Sequence, residues 1–219
     1  QKLVEHYTAF AHTLKDAKFV VDIGSNDGIS LKPLTEMGVK CLGVEPSVNV
    51  SRVAVEAGLT TYVGFFDAKA AKEIERDYGK ADVITGLSMF SHLQDPHVFI
   101  EDVKSLLSED GKFIVEVEYN LEILAKNAFE RFYLDRIFYF SATSFNRLFN
   151  LHDMVLIDAE VTDIHGGSLR VTAQKSGKQN KRTKALIKME ADVLGEFSVN
   201  ATGHDAYKHI KALKQTLED

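Results

Sequence analysis

Phe19-Val20-Val21-Asp22-Ile23-Gly24-Ser25-Asn26-Asp27-Gly28 decides the reading of this chain. A short apolar run, broken by one carboxylate, enters a loop bounded by two glycines, and a helix-compatible stretch follows. Glycines at such a junction let the backbone turn sharply and let a ligand come close. The loop is not the dinucleotide fingerprint, because G-x-G-x-x-G is absent. Nor is it a phosphate loop, since no Gly-Lys-Ser/Thr follows. A diphosphate gains little beside Asp22 and Asp27. A ligand carrying an ammonium group gains from both carboxylates, and the loop N–H groups are expected to take its carboxylate.

Outward from this stretch the chain alternates. β-Branched runs at 18–23, 39–45, 60–63, 81–86 and 112–117 are separated by segments with helical spacing, as in a parallel sheet flanked by helices. Several runs are apolar throughout, which suits central strands covered on both faces. Val50, Val53, Ala54 and Ala57 predict one buried helix stripe; Phe99, Val103, Leu106 and Leu107 predict another. Pro96 fits the first turn of that second helix. Further along, Phe145, Leu148 and Phe149 share a helix face, and β-like runs at 154–161 and Ser168–Gln174 are joined by His165-Gly166-Gly167. Residues 176–184 read as a solvated basic linker. Residues 185–219 read as two helical segments with a turn at Gly203, forming an appendage. The expected division is a domain over 1–175, opened by a helix over 1–16, and a linker with a helical tail over 176–219.

Composition narrows the class. The 219 residues are 45% hydrophobic and 26% charged, values of a globular domain with a full core. Cys41 is the only cysteine, so disulfide scaffolds and Cys-rich zinc sites within this chain are excluded. No apolar run approaches the ~20 residues that span a bilayer. A net charge of −6 argues against a protein that grips nucleic acid through its phosphates. Metal, membrane and nucleic acid are therefore not expected partners. The start at Gln1 leads us to expect a processed product or a piece of something longer, and the expected setting is a reducing cytoplasm.

Glu45 ends the second strand-like run about twenty residues after the loop, where a carboxylate suits both hydroxyls of a ribose. Alone, two glycines describe any tight turn and Glu45 any solvated strand end. Together, acidic groups for an amine, loop amides for a carboxylate and an acid for a ribose describe S-adenosylmethionine.

The segments VVDIGSNDGISLKPL (20–34), GVEPSVNV (43–50), ADVITGLSMFSHLQD (81–95), FIVEVEYNLEIL (113–124), NAFERFYLDRIFYFS (127–141) and IHGGSLRV (164–171) resemble, in order, the class I methyltransferases. More narrowly, they resemble the sugar C-methyltransferases, which methylate nucleotide-linked keto-sugars. The resemblance implies a doubly wound, Rossmann-like α/β fold with a seven-stranded, mostly parallel sheet, Ser168–Gln174 being the antiparallel strand. It implies S-adenosylmethionine as cofactor, held by Asp22, Gly24, Ser25, Asn26, Gly28, Glu45, Pro46, Ser88 and Met89. Phe65 and Phe66 would lie near the adenine, although adjacent phenylalanines also suit a core. The resemblance also implies an N-terminal cysteine-ligated zinc module and a further C-terminal domain, neither of which lies within these 219 residues, so flanking domains are expected.

One departure bears on chemistry. Where the family has Tyr-His-Glu-His, with the last His as favoured base, this chain has Tyr133-Leu134-Asp135-Arg136. Arginine stays protonated and cannot accept a proton. His92, Asp135 and His165 remain as candidate bases, with Tyr133 and Arg136 beside them. His92 also suits a cap, His165 a simple turn, and Asp135 with Arg136 an exposed pair. The expectation is O-methylation of a sugar-related or anionic small molecule, with all five residues in one cleft. The alternatives are C-methylation of a nucleotide-linked keto-sugar with His92 as base, or a cofactor-binding assembly module without turnover.

Overall fold

The computed structural model describes residues 1–126 and 128–200, which leaves the expected Gly203 turn and the segment beyond it outside the described residues. Seven strands share one sheet: β1 (Phe19–Ile23), β2 (Lys40–Glu45), β3 (Thr61–Val63), β4 (Ala81–Leu87), β5 (Leu107–Glu118), β6 (Val155–Thr162) and β7 (Ser168–Gln174). Their order is β3-β2-β1-β4-β5-β7-β6. The β3-β2-β1-β4-β5 pairings are parallel, and β7 runs antiparallel to both of its neighbours. This is the expected doubly wound, Rossmann-like sheet with its antiparallel strand at Ser168–Gln174. Strand order reverses between β1 and β4, and such a switch point opens a crevice beyond the strands' carboxyl ends.

Eight helices are described: α1 (Lys2–Thr13), α2 (Leu31–Glu36), α3 (Val48–Glu56), α4 (Ala68–Tyr78), α5 (Pro96–Leu106), α6 (Asn120–Ala125), α7 (Ala142–Asn150) and α8 (Lys181–Asn200). Successive side chains of a strand face opposite ways, so each central strand feeds two cores. Val20, Val83 and Ile114 meet Phe10 of α1, Leu31 of α2 and Ala54 of α3. On the other face, Val21, Ile84 and Phe113 meet Ile74 of α4, Ile100 of α5 and Phe145 and Phe149 of α7. None of the described helices is long and apolar enough to cross a membrane.

Local chemistry sets the helix starts. Asp95 caps α5 through the His97 and Val98 N–H groups at 2.8 and 3.2 Å, with Pro96 in the first turn as expected. The stripe Phe99, Val103, Leu106, Leu107 is buried, and so is the trio on α7. Helix α3 departs from expectation. It buries Ser51 and Ala54, while Val53 is 53% exposed and Ala57 lies at the surface. The reason is steric: the sheet side of α3 lies close to Gly28 and Leu59, leaving room only for small residues.

The basic stretch expected as solvated linker through Lys184 is already helical from Lys181. Its charges have partners on β6: Arg182 pairs with Asp158 at 2.6 Å and with Glu160 at 2.7 Å. Asn180 Oδ1 caps the Thr183 N–H at 2.8 Å. Leu186 and Ile187 then pack on the main core, so this part of the tail is seated on the fold rather than hanging from it.

Candidate active site

At the end of β1, the Asp22 carboxylate is buried and accepts from the Thr85 hydroxyl at 2.6 Å and from the Ser30 hydroxyl. Burial pushes its acid up to about 6, against the pull of those two hydrogen bonds and with help from the charge of Glu45. The loop then needs left-handed backbone at Gly24, φ +72°, where any Cβ would also crowd Met89 at 3.0 Å. Asn26 adopts φ 53°, a conformation asparagine tolerates. Glu45, at the end of β2, fastens the loop. Its Oε2 accepts from the Asn26 N–H at 3.0 Å and its Oε1 from the Ser47 N–H at 2.8 Å. A carboxylate has about four acceptor positions, so each oxygen keeps capacity for a hydroxyl.

The loop amides expected to take a ligand carboxylate are already committed. Gly24 and Ser25 donate to the Val44 carbonyl, Gly28 to that of Ser25, Asp27 to Asn26 Oδ1 and Ile29 to Asp27 Oδ1. With the Asn26 N–H on Glu45, the loop closes on itself, which satisfies its backbone without a ligand. What it leaves without a protein partner is a side chain: the buried Ser25 hydroxyl.

The opposite wall starts where β4 ends. Ser88 adopts φ 61° and donates its N–H to the Glu116 carbonyl at 2.7 Å. A 3-10 turn, Phe90–His92, follows and is anchored by the Phe90 ring, which is buried among Phe99, Phe113, Phe140 and Phe145. The Ser91 carbonyl accepts from the N–H groups of Ile137 and Phe138 at 3.0 and 3.3 Å. That pairing brings the Tyr133–Arg136 stretch against the turn. His92 Nδ1 lies 2.9 Å from the Asp135 carbonyl and 3.6 Å from its carboxylate. A carbonyl only accepts, so Nδ1 is the donor in that contact, and in the neutral ring Nε2 is then the acceptor. The Arg136 guanidinium pairs with Glu118 at the end of β5 and lies 4.7 Å over the Tyr133 ring.

Between these walls is a cleft of about 500 Å³, within the ~300–1,000 Å³ of small-molecule sites. Asp22, Gly24, Ser25, Asn26 and Glu45 line one side; Ser88, Met89, His92 and His165 line the other. A recess of about 60 Å³ shares Ser88 and His165 with it and is lined by Glu118 and Arg136 as well. Thus His92, Arg136 and His165 come together across 73 residues of sequence, His165 at φ 50° in the turn before β7. Asp135 stands behind His92, and Tyr133 lies under Arg136, half exposed.

Gly28, Pro46, Phe65 and Phe66 are not among the residues that line this cleft. Gly28 sits beneath Leu59 and Ala54, where it lets α3 approach the loop. Pro46 is exposed beside Glu45. Phe65 is 78% exposed, while Phe66 packs edge-on against Phe99 in the core. Sequence reasoning missed Leu3 and Tyr7 of α1, which close the cleft from above. Burial and the nearby charge of Glu116 push the Tyr7 hydroxyl up to about 12, keeping it protonated. It also missed Glu118, although a carboxylate at the end of a central strand was a readable signal.

Comparison with known proteins agrees with this fold. Residues 1–158 match the family described as the methyltransferase domain. The chain is 34% identical over 179 residues to the C-methyltransferase NovU of Streptomyces niveus, covering 82% of this chain and 43% of that protein. It is 29% identical over 110 residues to a ubiquinone biosynthesis O-methyltransferase of Cupriavidus pinatubonensis, covering 48% of this chain and 43% of that protein. The chain therefore spans less than half the length of these curated relatives. Among solved structures, magnesium protoporphyrin IX methyltransferase (ChlM) of Synechocystis PCC 6803 with bound SAH superposes with a TM-score of 0.61 at 16% identity, over 80% of this chain and 83% of that one. At that identity the likeness concerns the fold.

Proposed function

Because the chain belongs to the methyltransferase-domain family, we propose that it transfers the methyl group of S-adenosylmethionine to a hydroxyl oxygen of a small, sugar-related molecule in the cytoplasm. The donor set fits that cofactor. Glu45 takes the ribose hydroxyls, the Ser25 hydroxyl and Asn26 meet the amino-acid end, and Asp22 faces its ammonium. When bound, S-adenosylmethionine supplies an electrophilic methyl on a positively charged sulfur. The protein's part is alignment and one proton transfer.

The observation that carries the acceptor assignment is Arg136 in place of the base that the resemblance implies, because with that base gone a hydroxyl is easier to activate than carbon. With Nδ1–H held by the Asp135 carbonyl, Nε2 is free to take a proton from a substrate hydroxyl. Arg136 occupies the position of the relatives' base and can only donate. Its charge is balanced by Glu118, which lowers its value as a grip for a substrate anion and favours a role in steadying charge that develops on oxygen.

The 34% identity to the C-methyltransferase favours a second reading, in which His92 Nε2 removes a proton from carbon beside a ketone of a nucleotide-linked sugar. Incubation with a methyl-labelled donor and a panel of nucleotide sugars, followed by product mapping, separates the two. We expect label on oxygen. A new carbon–carbon bond overturns the O-methyl assignment in favour of the second reading, and no label transfer to any acceptor defeats both.

A further inference from the structure

Glu190, on the tail helix α8, is fully buried and surrounded by neutral donors. Its Oε1 accepts from the Tyr119 hydroxyl at 2.7 Å and from the Ala142 N–H at 2.8 Å. Its Oε2 accepts from the Thr143 N–H at 2.7 Å and hydroxyl at 2.6 Å. A buried charge met only by neutral groups is an expensive way to dock a helix, and an apolar residue would do that job at less cost. What the carboxylate adds is geometry, because four donors fix it from two directions.

Those directions are informative. Tyr119 directly follows Glu118, the partner of Arg136, and its own N–H reaches the Gly167 carbonyl in the turn that carries His165. Ala142 and Thr143 open α7, just after the stretch that carries Tyr133, Asp135 and Arg136. Phe140 closes the gap, bridging to Tyr119 and accepting from the Asn120 N–H at 3.2 Å. One carboxylate therefore grips both flanks of the acceptor wall. On the cofactor wall, Asp22, Gly24 and Glu45 make no contact with it.

We propose that Glu190 is a positioning residue for methyl transfer: it clamps Tyr119 to the start of α7 and so fixes the spacing of His92, Arg136 and His165 across the acceptor half of the cleft. The proposal rests on the functional reading above for its catalytic half and on geometry alone for the clamp. A small misplacement of reacting groups is costly in turnover while leaving remote binding intact.

The test compares Glu190→Gln, Glu190→Asp and Tyr119→Phe with the parent by steady-state kinetics, calorimetry with S-adenosylmethionine and amide hydrogen exchange. Glu190→Gln keeps the shape but turns one acceptor into a donor facing donors. It should lower kcat ~10–100-fold with cofactor Kd unchanged, and should speed exchange over 128–141 but not over 19–28. Glu190→Asp should recover part of the loss. Tyr119→Phe removes a single donor and serves if Glu190→Gln does not fold; it should give the same pattern in weaker form. Uniformly faster exchange with a parallel loss of cofactor affinity would show a merely structural residue and overturn the proposal, as would unchanged kcat. A parent that transfers no methyl defeats the functional reading and the catalytic half of this one, while the exchange pattern still decides the clamp.

Discussion

Asp22 is held at the mouth of the cleft with its acid pushed up to about 6 by burial, from an ordinary 3.8. A carboxylate with a raised folded value is bound to its proton more tightly in the native state than in the unfolded chain. Its contribution to stability is therefore fullest below the unfolded value and is lost as pH rises towards 6. From pH 4 to 7 the parent should lose about 2 kcal/mol more stability than Asp22→Asn, which has nothing to ionise. Urea unfolding at stepped pH measures this, and parallel curves would show that Asp22 is not perturbed. His92 belongs to the same scale. If its Nε2 takes the substrate proton, His92→Ala should reduce turnover ~10²–10⁴-fold and leave cofactor affinity little changed. Single-turnover assays beside calorimetry check it, and a full-speed variant removes His92 as base.

Helix α1 shows how an element becomes part of a site without any chemical signature. Its Phe10, Ala11 and Leu14 are buried on the sheet, which leaves Leu3 and Tyr7 over the cleft. The His6–Glu116–Arg170 cluster, with contacts of 3.0 and 2.7 Å to Glu116, ties the helix to β5 and β7. The Arg170 guanidinium also covers the Phe10 ring at 4.2 Å. Phe10→Ala should cost ~3–5 kcal/mol by the cavity it leaves, and the loosened wall should weaken cofactor binding as well. Denaturant unfolding and calorimetry measure both effects; unchanged stability would mean that α1 is not packed as described. At this scale the sequence was readable wherever burial was periodic, as in α5 and α7. It misled at α3, where contact with Gly28 and Leu59 outweighed the valine stripe, and at residues 181–184, whose charges looked solvated because their partners lie on β6, about 22 residues away.

Across the whole molecule, the sheet divides the site into two halves around the switch between β1 and β4. The half formed by the ends of β1 and β2 was legible because Asp22, Gly24 and Glu45 each mark a strand end that the chain itself announces. The loop's internal hydrogen bonds were not legible, since they depend on where the Val44 carbonyl comes to rest. The acceptor half was legible only as a set of residues by resemblance. Its pairings, Glu118 with Arg136 and His92 with Asp135, span 18 and 43 residues and follow from the anchoring of Phe90 in the aromatic core. Glu45 joins the two levels, because it fastens the loop and keeps the acceptor capacity that we propose for a ribose. The most direct test of the account is calorimetric titration of S-adenosylmethionine into the parent and Glu45→Ala. The account predicts binding by the parent and a loss of roughly 1.5–3 kcal/mol in the variant, from charge-assisted hydrogen bonds removed. A parent that does not bind, or a variant that binds as well as the parent, would contradict it.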